Sequence, residues 1–195
     1  MRLFVAVVPP EEVVDHLDAF LEPRREHGRF RWTSAEQLHV TLAFLEQVPE
    51  RSLDALVEGL QRGAARRQPF EARVAGGGAF PDPAHAKVLW AGLDLAVDAR
   101  AELDRLAAGA RAAASHAGLV VDGQRFRPHV TLARLGRGQE VTRWVRLLDG
   151  YAGPAWTVDR VVLVESHLGE GPRRRPRHEP VAELELGATT SARDT

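Results

Sequence analysis

His39-Val40-Thr41-Leu42-Ala43 occurs again, residue for residue, as His129-Val130-Thr131-Leu132-Ala133, 90 positions later in a chain of 195 residues. Side chains alternate between the two faces of a strand, so His39 and Thr41 share one face while Leu38, Val40 and Leu42 take the other. The same holds for His129 and Thr131 against Val130 and Leu132. A core accounts for the valines and leucines but has no use for a repeated polar pair. Each copy therefore sets an imidazole and a hydroxyl on a surface that its own core does not need.

Outward from the two copies, both halves read strand, helix, strand, helix, strand. In the first half, Leu3 to Val8 reads as a buried strand. Pro10, Glu11 and Glu12 then open a helix carrying Val13, Val14, Leu17 and Leu21, which Gly28 ends. Leu38 to Leu45 is a strand, Glu50 to Arg66 a helix and Phe70 to Ala75 a strand, with Gly76-Gly77-Gly78 and Pro81-Asp82-Pro83 read as loop. In the second half the strands are Val88 to Leu95, Arg127 to Leu135 and Trp156 to Glu165. The helices there are Asp98 to Ala117 and Glu140 to Leu148, and Val181 to Leu186 is a last strand. A repeat of one large unit predicts two lobes about an approximate two-fold axis rather than a solenoid. The organisation expected is one bilobal domain over 1–187, with its internal repeat at roughly 3–76 and 88–165, and a polar, frayed tail over 188–195.

Composition narrows the function. Hydrophobic residues make up 44%, enough for a sizeable core. The formal charge of -1 excludes a histone-like polycation but leaves room for a local phosphate site. Cysteine is absent, which removes disulfides, thiolate nucleophiles and Cys-ligated metals and suits a reducing cytoplasm. Leu3 to Val8 is too short for a signal peptide's apolar region or a membrane span, so no membrane association is expected.

Two histidines and two short hydroxyls converging on one groove suit the in-line opening of a cyclic phosphodiester. One imidazole takes the proton of an attacking water and the other protonates the leaving oxygen, each transfer being worth ~10²–10⁴ in rate. The hydroxyls hold non-bridging oxygens. Zinc catalysis asks for three protein ligands, commonly His and carboxylate. Each strand here brings one histidine with no acid beside it, and His85, His116, His167 and His178 are scattered, so no metal is expected. No Gly-x-Ser-x-Gly elbow is present for a serine nucleophile.

The duplicated motif and its surroundings resemble the two-histidine (2H) phosphoesterase superfamily, in particular its RNA 2′,3′-cyclic phosphodiesterases, historically labelled 2′-5′ RNA ligases. The resemblance runs through Arg2-Leu3-Phe4-Val5-Ala6, Arg31-Trp32, Leu38 to Leu45, Gly78-Ala79-Phe80-Pro81 before Val88-Leu89-Trp90, Phe126 to Arg134, and Ser166-His167-Leu168-Gly169. It implies an α+β, bilobal, duplicated fold whose antiparallel sheets line a central cleft, with helices outside. It also implies hydrolysis, without metal or cofactor, of a terminal 2′,3′-cyclic phosphate to a 2′-phosphate, and the reverse 2′-5′ ligation as a secondary activity. His39 would be the proton donor and His129 the acceptor, with Thr41 and Thr131 on the phosphate. The partners implied are RNA ends or small nucleotides, met by a cytoplasmic monomer. Alternatives are a phosphodiesterase for another small cyclic nucleotide phosphate, or a nucleotide- or RNA-binding module without turnover.

The family also suggests base or sugar stacking for Phe44 and phosphate neutralisation for Arg134. Strict alternation puts both on the face opposite the histidines, so a bulge or a twisted strand end is required. Trp32 reads as packing. The segment Gly169 to Arg177 is longer and more basic than the family's usual loop, and His178 stands where an aromatic residue is common. Its Arg173, Arg174, Arg175 and Arg177 read as a solvated charge run, with contact to an RNA backbone as the functional alternative.

Overall fold

The computed structural model describes residues 1–172 and 175–188. Its strands are β1 (Leu3–Val7), β2 (Arg31–Trp32), β3 (Val40–Leu45), β4 (Phe70–Phe80), β5 (Ala86–Asp94), β6 (Val130–Gln139), β7 (Ala152–Val158), β8 (Arg160–His167) and β9 (Arg177–Glu185). Its α-helices are α1 (Glu11–Arg25), α2 (Leu53–Ala65), α3 (Val97–His116) and α4 (Thr142–Asp149).

Every strand pairing is antiparallel, and the nine strands form one sheet in the order β7-β4-β5-β6-β3-β1-β8-β9, with β2 added on β6. Apart from β2, four strands lie on each side of the β3–β6 join. β7 is at one edge, yet only Asp159 separates it from β8 near the other edge. The sheet must therefore curl, and it forms a half-barrel with a cleft. The expected α+β architecture of antiparallel sheet and helices is present.

The order of strands does not follow the order of the chain. β4 pairs with β5 and β7, and β8 pairs with β1 and β9, so the last strand of each sequence half lies in the sheet of the other. Helices cross over as well. α1, which follows β1, packs on β7, and α4 packs on β4, whereas α2 and α3 pack together and cover β3, β8 and β9. Each half thus completes the core of the other.

The local reasons for the elements are plain. β1 is buried on both faces: Leu3, Val5 and Val7 enter the main core, while Phe4 and Ala6 join Val162 and Val164 in a smaller cluster. That explains its unbroken apolar run. In α1, Val13, Leu17 and Leu21 are buried at four-residue spacing, with Glu11 and Glu12 at the positive end and Arg24 and Arg25 at the negative end. In α3, alanines replace bulk, and Gly59 of α2 lies so close that an added Cβ would stand 3.0 Å from that of Ala113.

Two expectations are corrected, and one short strand goes unread in the sequence. Gly76-Gly77-Gly78 is not a loop but the middle of β4. The register slips between Val74 and Gly77, where Gly76 has φ +69°. A Cβ on Gly78 would stand 2.3 Å from the Trp90 ring, so the glycine makes room for the indole. The expected strand from Trp156 to Glu165 is two strands, broken at Asp159. β2, only two residues long, is too short to show a periodicity in the sequence. Arg173, Arg174 and residues 189–195 lie outside the described residues.

Candidate active site

The two motif strands meet at Val40 and Val130, which pair in register. His39 and His129 each stand one residue before that pair. Antiparallel register about it sets residue 39 toward 131 and residue 41 toward 129. The histidines thus belong to adjoining strands of one curled sheet, not to facing strands of separate sheets, and each is brought toward the threonine of the other copy.

Each strand then carries a bulge at the same place. Against β1, Ala43 pairs with Val5 and Thr41 with Ala6, which leaves Leu42 as an extra residue on β3. Against β5, Ala133 pairs with Leu89 and Thr131 with Trp90, which leaves Leu132 extra on β6. Burial records the same event: Leu42 and Ala43 are both in the core, as are Leu132 and Ala133. One extra residue inverts the faces beyond it. Phe44 and Arg134, which alternation assigns to the back of the sheet, accordingly line the cleft with His39, Thr41 and Thr131.

Both imidazoles are held the same way. His39 Nδ1 donates to the Gln37 carbonyl at 2.7 Å, and His129 Nδ1 donates to the Arg127 carbonyl at 2.6 Å. A backbone carbonyl only accepts, so Nδ1 carries hydrogen in each ring and Nε2 is left as the working nitrogen. Thr41 Oγ1 lies 3.0 Å from His39 Nε2. Aromatic side chains brace both rings. Phe4 stacks on His39 at 4.7 Å between centroids, and Phe80 meets His129 edge-on at 5.0 Å. Phe4 is on β1 and Phe80 on β4, so the supports come from strands on opposite sides of the β3–β6 join.

The rings resist protonation when the cleft is empty of anions. Burial lowers His39 to about 4, helped by the positive charges of His178, His129 and Arg134 and opposed by the Gln37 carbonyl. Burial also lowers His129, with Arg134 adding to it and the Arg127 carbonyl opposing.

The cleft beside His39 has a volume of about 350 Å³. Residues that the sequence reading did not single out for the site also line it, namely Arg2 and Ser166. His178, one of the histidines read as scattered, lies edge-on to His39 at 5.7 Å and to Phe4 at 5.0 Å. Its only sequence signal is its place at an aromatic position of the family pattern. Trp32 packs with Phe30 and Trp144 and donates its indole N–H to the Gly28 carbonyl, as the packing reading expects, though one side faces the cleft. Of the basic segment, Arg175 lines the cleft, whereas Arg177 is held by Glu179 at 2.7 Å and Glu170 at 3.0 Å. Among the described residues no group of three or more His, Asp or Glu is arranged to hold a metal ion.

Comparison with known proteins agrees with this architecture. The sequence profile of the 2′-5′ RNA ligase superfamily matches residues 10–170. An RNA 2′,3′-cyclic phosphodiesterase of Thermus thermophilus is 35% identical over 180 residues, covering 86% of this chain and 83% of that protein. One from Thermotoga maritima is 29% identical, covering 86% and 88%. One from Geobacillus stearothermophilus is 28% identical over 94% of this chain, which spans only 56% of that protein's length. Among solved structures, E. coli LigT complexed with 3′-AMP superposes with TM-score 0.75 at 25% identity, covering 96% of this chain and 98% of LigT. The protein TT0787 of Thermus thermophilus gives 0.74 at 32%, with the same coverage. The chain belongs to the 2′-5′ RNA ligase superfamily.

Proposed function

We propose that this chain hydrolyses RNA 2′,3′-cyclic phosphate ends to 2′-phosphates by general acid–base catalysis from His39 and His129. The observation that carries the reading is the paired presentation of the two imidazoles. Each is fixed through Nδ1 to the carbonyl two residues back, beside the Val40–Val130 pair where β3 meets β6. The names of the relatives and the family match support the same activity.

In the proposed step His129 Nε2, unprotonated, takes a proton from water as the water oxygen bonds to phosphorus. The bond from phosphorus to the 3′ oxygen breaks, and His39 Nε2 delivers its proton to that oxygen. The product is a 2′-phosphomonoester and a free 3′-hydroxyl. Thr41 and Thr131 donate to non-bridging oxygens, Arg134 neutralises the phosphate and Phe44 offers a face to the base or sugar. Burial, more than the neighbouring positive charges, holds His39 down, and the bound anion favours its protonated form against both. The two imidazoles supply both proton transfers, so no metal or cofactor is required. Running the step backward with a 5′-hydroxyl in place of water gives a 2′-5′ linkage, and bulk water favours hydrolysis. We read the protein as a cytoplasmic monomer without membrane attachment. Among the described residues no helix is long and apolar enough to cross a membrane.

The test is direct. Purified protein is incubated in EDTA with an oligonucleotide ending in a 2′,3′-cyclic phosphate, and the product isomer is identified. A 2′-phosphate supports the mechanism. A 3′-phosphate, or turnover only on restoring a divalent ion, overturns it.

A further inference from the structure

The cleft holds more positive charge than one cyclic phosphate can use. Arg2, Arg31, Arg134 and Arg175 line it, and no carboxylate does. Several arginines elsewhere are matched with acids, among them Arg25 with Asp18, Arg100 with Asp104, and Arg160 with Asp159 and Glu183. Among the described residues none of the four cleft arginines has a carboxylate within 4.0 Å. Yet the chain has as many acids as bases to within one.

Two of the four are placed against their own interest. Arg31 on β2 stands directly opposite Arg134 on β6, and like charges facing one another across strands repel. Arg2 lays its guanidinium 4.6 Å over the Phe44 ring, and its Nε is buried without a hydrogen-bond partner. A buried donor left unpaired is costly unless a ligand completes it. A second, larger cavity of about 830 Å³, also lined by His39 and His178, holds Glu12 and Glu36 together with Asp159 and Glu183, the last two paired with Arg160.

We propose that Arg2 and Arg31 form a second phosphate subsite, so that the preferred ligand carries a further phosphate besides the one at the histidines. Arg134, opposite Arg31 across the strands, is assigned to the first. The inference rests on the cyclic phosphate reading of the site and specifies its substrate class. The second phosphate is either the 5′-phosphate of a mononucleotide or the diester that precedes the last nucleotide of an RNA.

The experiment measures calorimetric affinity at low salt for three product-like ligands: adenosine 2′-phosphate, adenosine 2′,5′-bisphosphate and an ApA dinucleotide ending in a 2′-phosphate. The wild-type chain is compared with Arg31→Gln and with Arg2→Gln. At least one two-phosphate ligand should bind roughly tenfold tighter than the monophosphate, the gain expected of a charge-assisted contact. That ratio should fall to about twofold in Arg31→Gln, and its salt dependence should flatten by roughly 0.7 for a lost single-strand contact. A gain confined to the bisphosphate assigns the subsite to a 5′-phosphate, and a gain confined to the dinucleotide assigns it to the internal diester. Equal affinity for all three ligands, or an advantage that survives both substitutions, overturns the proposal. Turnover of adenosine 2′,3′-cyclic phosphate is followed in parallel. Absent turnover with the ratio intact sinks the hydrolase reading alone. Normal turnover with no ratio sinks the second subsite alone.

Discussion

Val40 and Val130 are the one registered pair between β3 and β6, and the chain's two copies of His-x-Thr pivot on it. Both valines are fully buried, so the join cannot shift without opening core. The site is thus anchored by the same contact that holds the two halves of the sheet together.

The pH dependence follows from the lowered imidazoles. Catalysis needs one of the pair protonated, and the singly protonated form peaks between the two apparent pKa values. His39 lies at about 4 and His129 below 6.5 in the free protein. The optimum of kcat/KM is therefore expected between pH 4 and 6.5, and that of kcat at higher pH, since bound phosphate favours imidazolium. Rate profiles on adenosine 2′,3′-cyclic phosphate check this, and a kcat/KM optimum above neutrality contradicts it.

Stability carries the same signature. Between pH 6.5 and about 4 the unfolded chain binds a proton at His39 that the folded chain refuses, so lowering the pH favours unfolding. The contribution is fully present above pH 6.5 and disappears as the pH falls through the folded value. Its size is on the order of 3 kcal/mol at 1.36 per unit. Denaturant titrations of wild type and His39→Gln at pH 7 and pH 4.5 should show a smaller loss in the variant. Equal losses refute the assignment.

His39→Ala and His129→Ala should each slow turnover by at least ~10²-fold. A substrate with a very good leaving group departs without a proton and so should restore His39→Ala far more than His129→Ala. Rescue of the opposite variant reverses the donor and acceptor.

Arg134→Gln tests the second bulge. On the cleft side, its loss should lower kcat/KM by roughly 10–100-fold, as for a charged hydrogen bond. On the back of the sheet, where alternation alone places it, the change would be negligible.

Two glycines make opposite predictions. Gly78→Ala forces a methyl into the Trp90 ring, which lies 6.1 Å from that of His129, and should cost about 1–3 kcal/mol together with activity. Gly63→Ala, in α2 with nothing within 4 Å of the new Cβ, should gain roughly 0.5–1 kcal/mol. Thermal denaturation of the two variants decides both.

The duplicated five residues determined much by themselves: a two-copy organisation, the four polar side chains of the motif, and strands whose valines and leucines face a core; the α+β class came with the family resemblance. Alternation is a local property, and one sequence suffices to read it. What alternation cannot register is an extra residue. Leu42 and Leu132 are ordinary core leucines in sequence, and they become bulges only because β1 and β5 pair past them in shifted register. That shift alone brings Phe44 and Arg134 into the cleft. Pairing between distant strands likewise set Arg31 against Arg134, carried His178 to His39, and exchanged β4 and β8 between the halves. Those outcomes depend on which partner each strand finds, a free energy shared between segments far apart in the chain, so no single segment's pattern contains them.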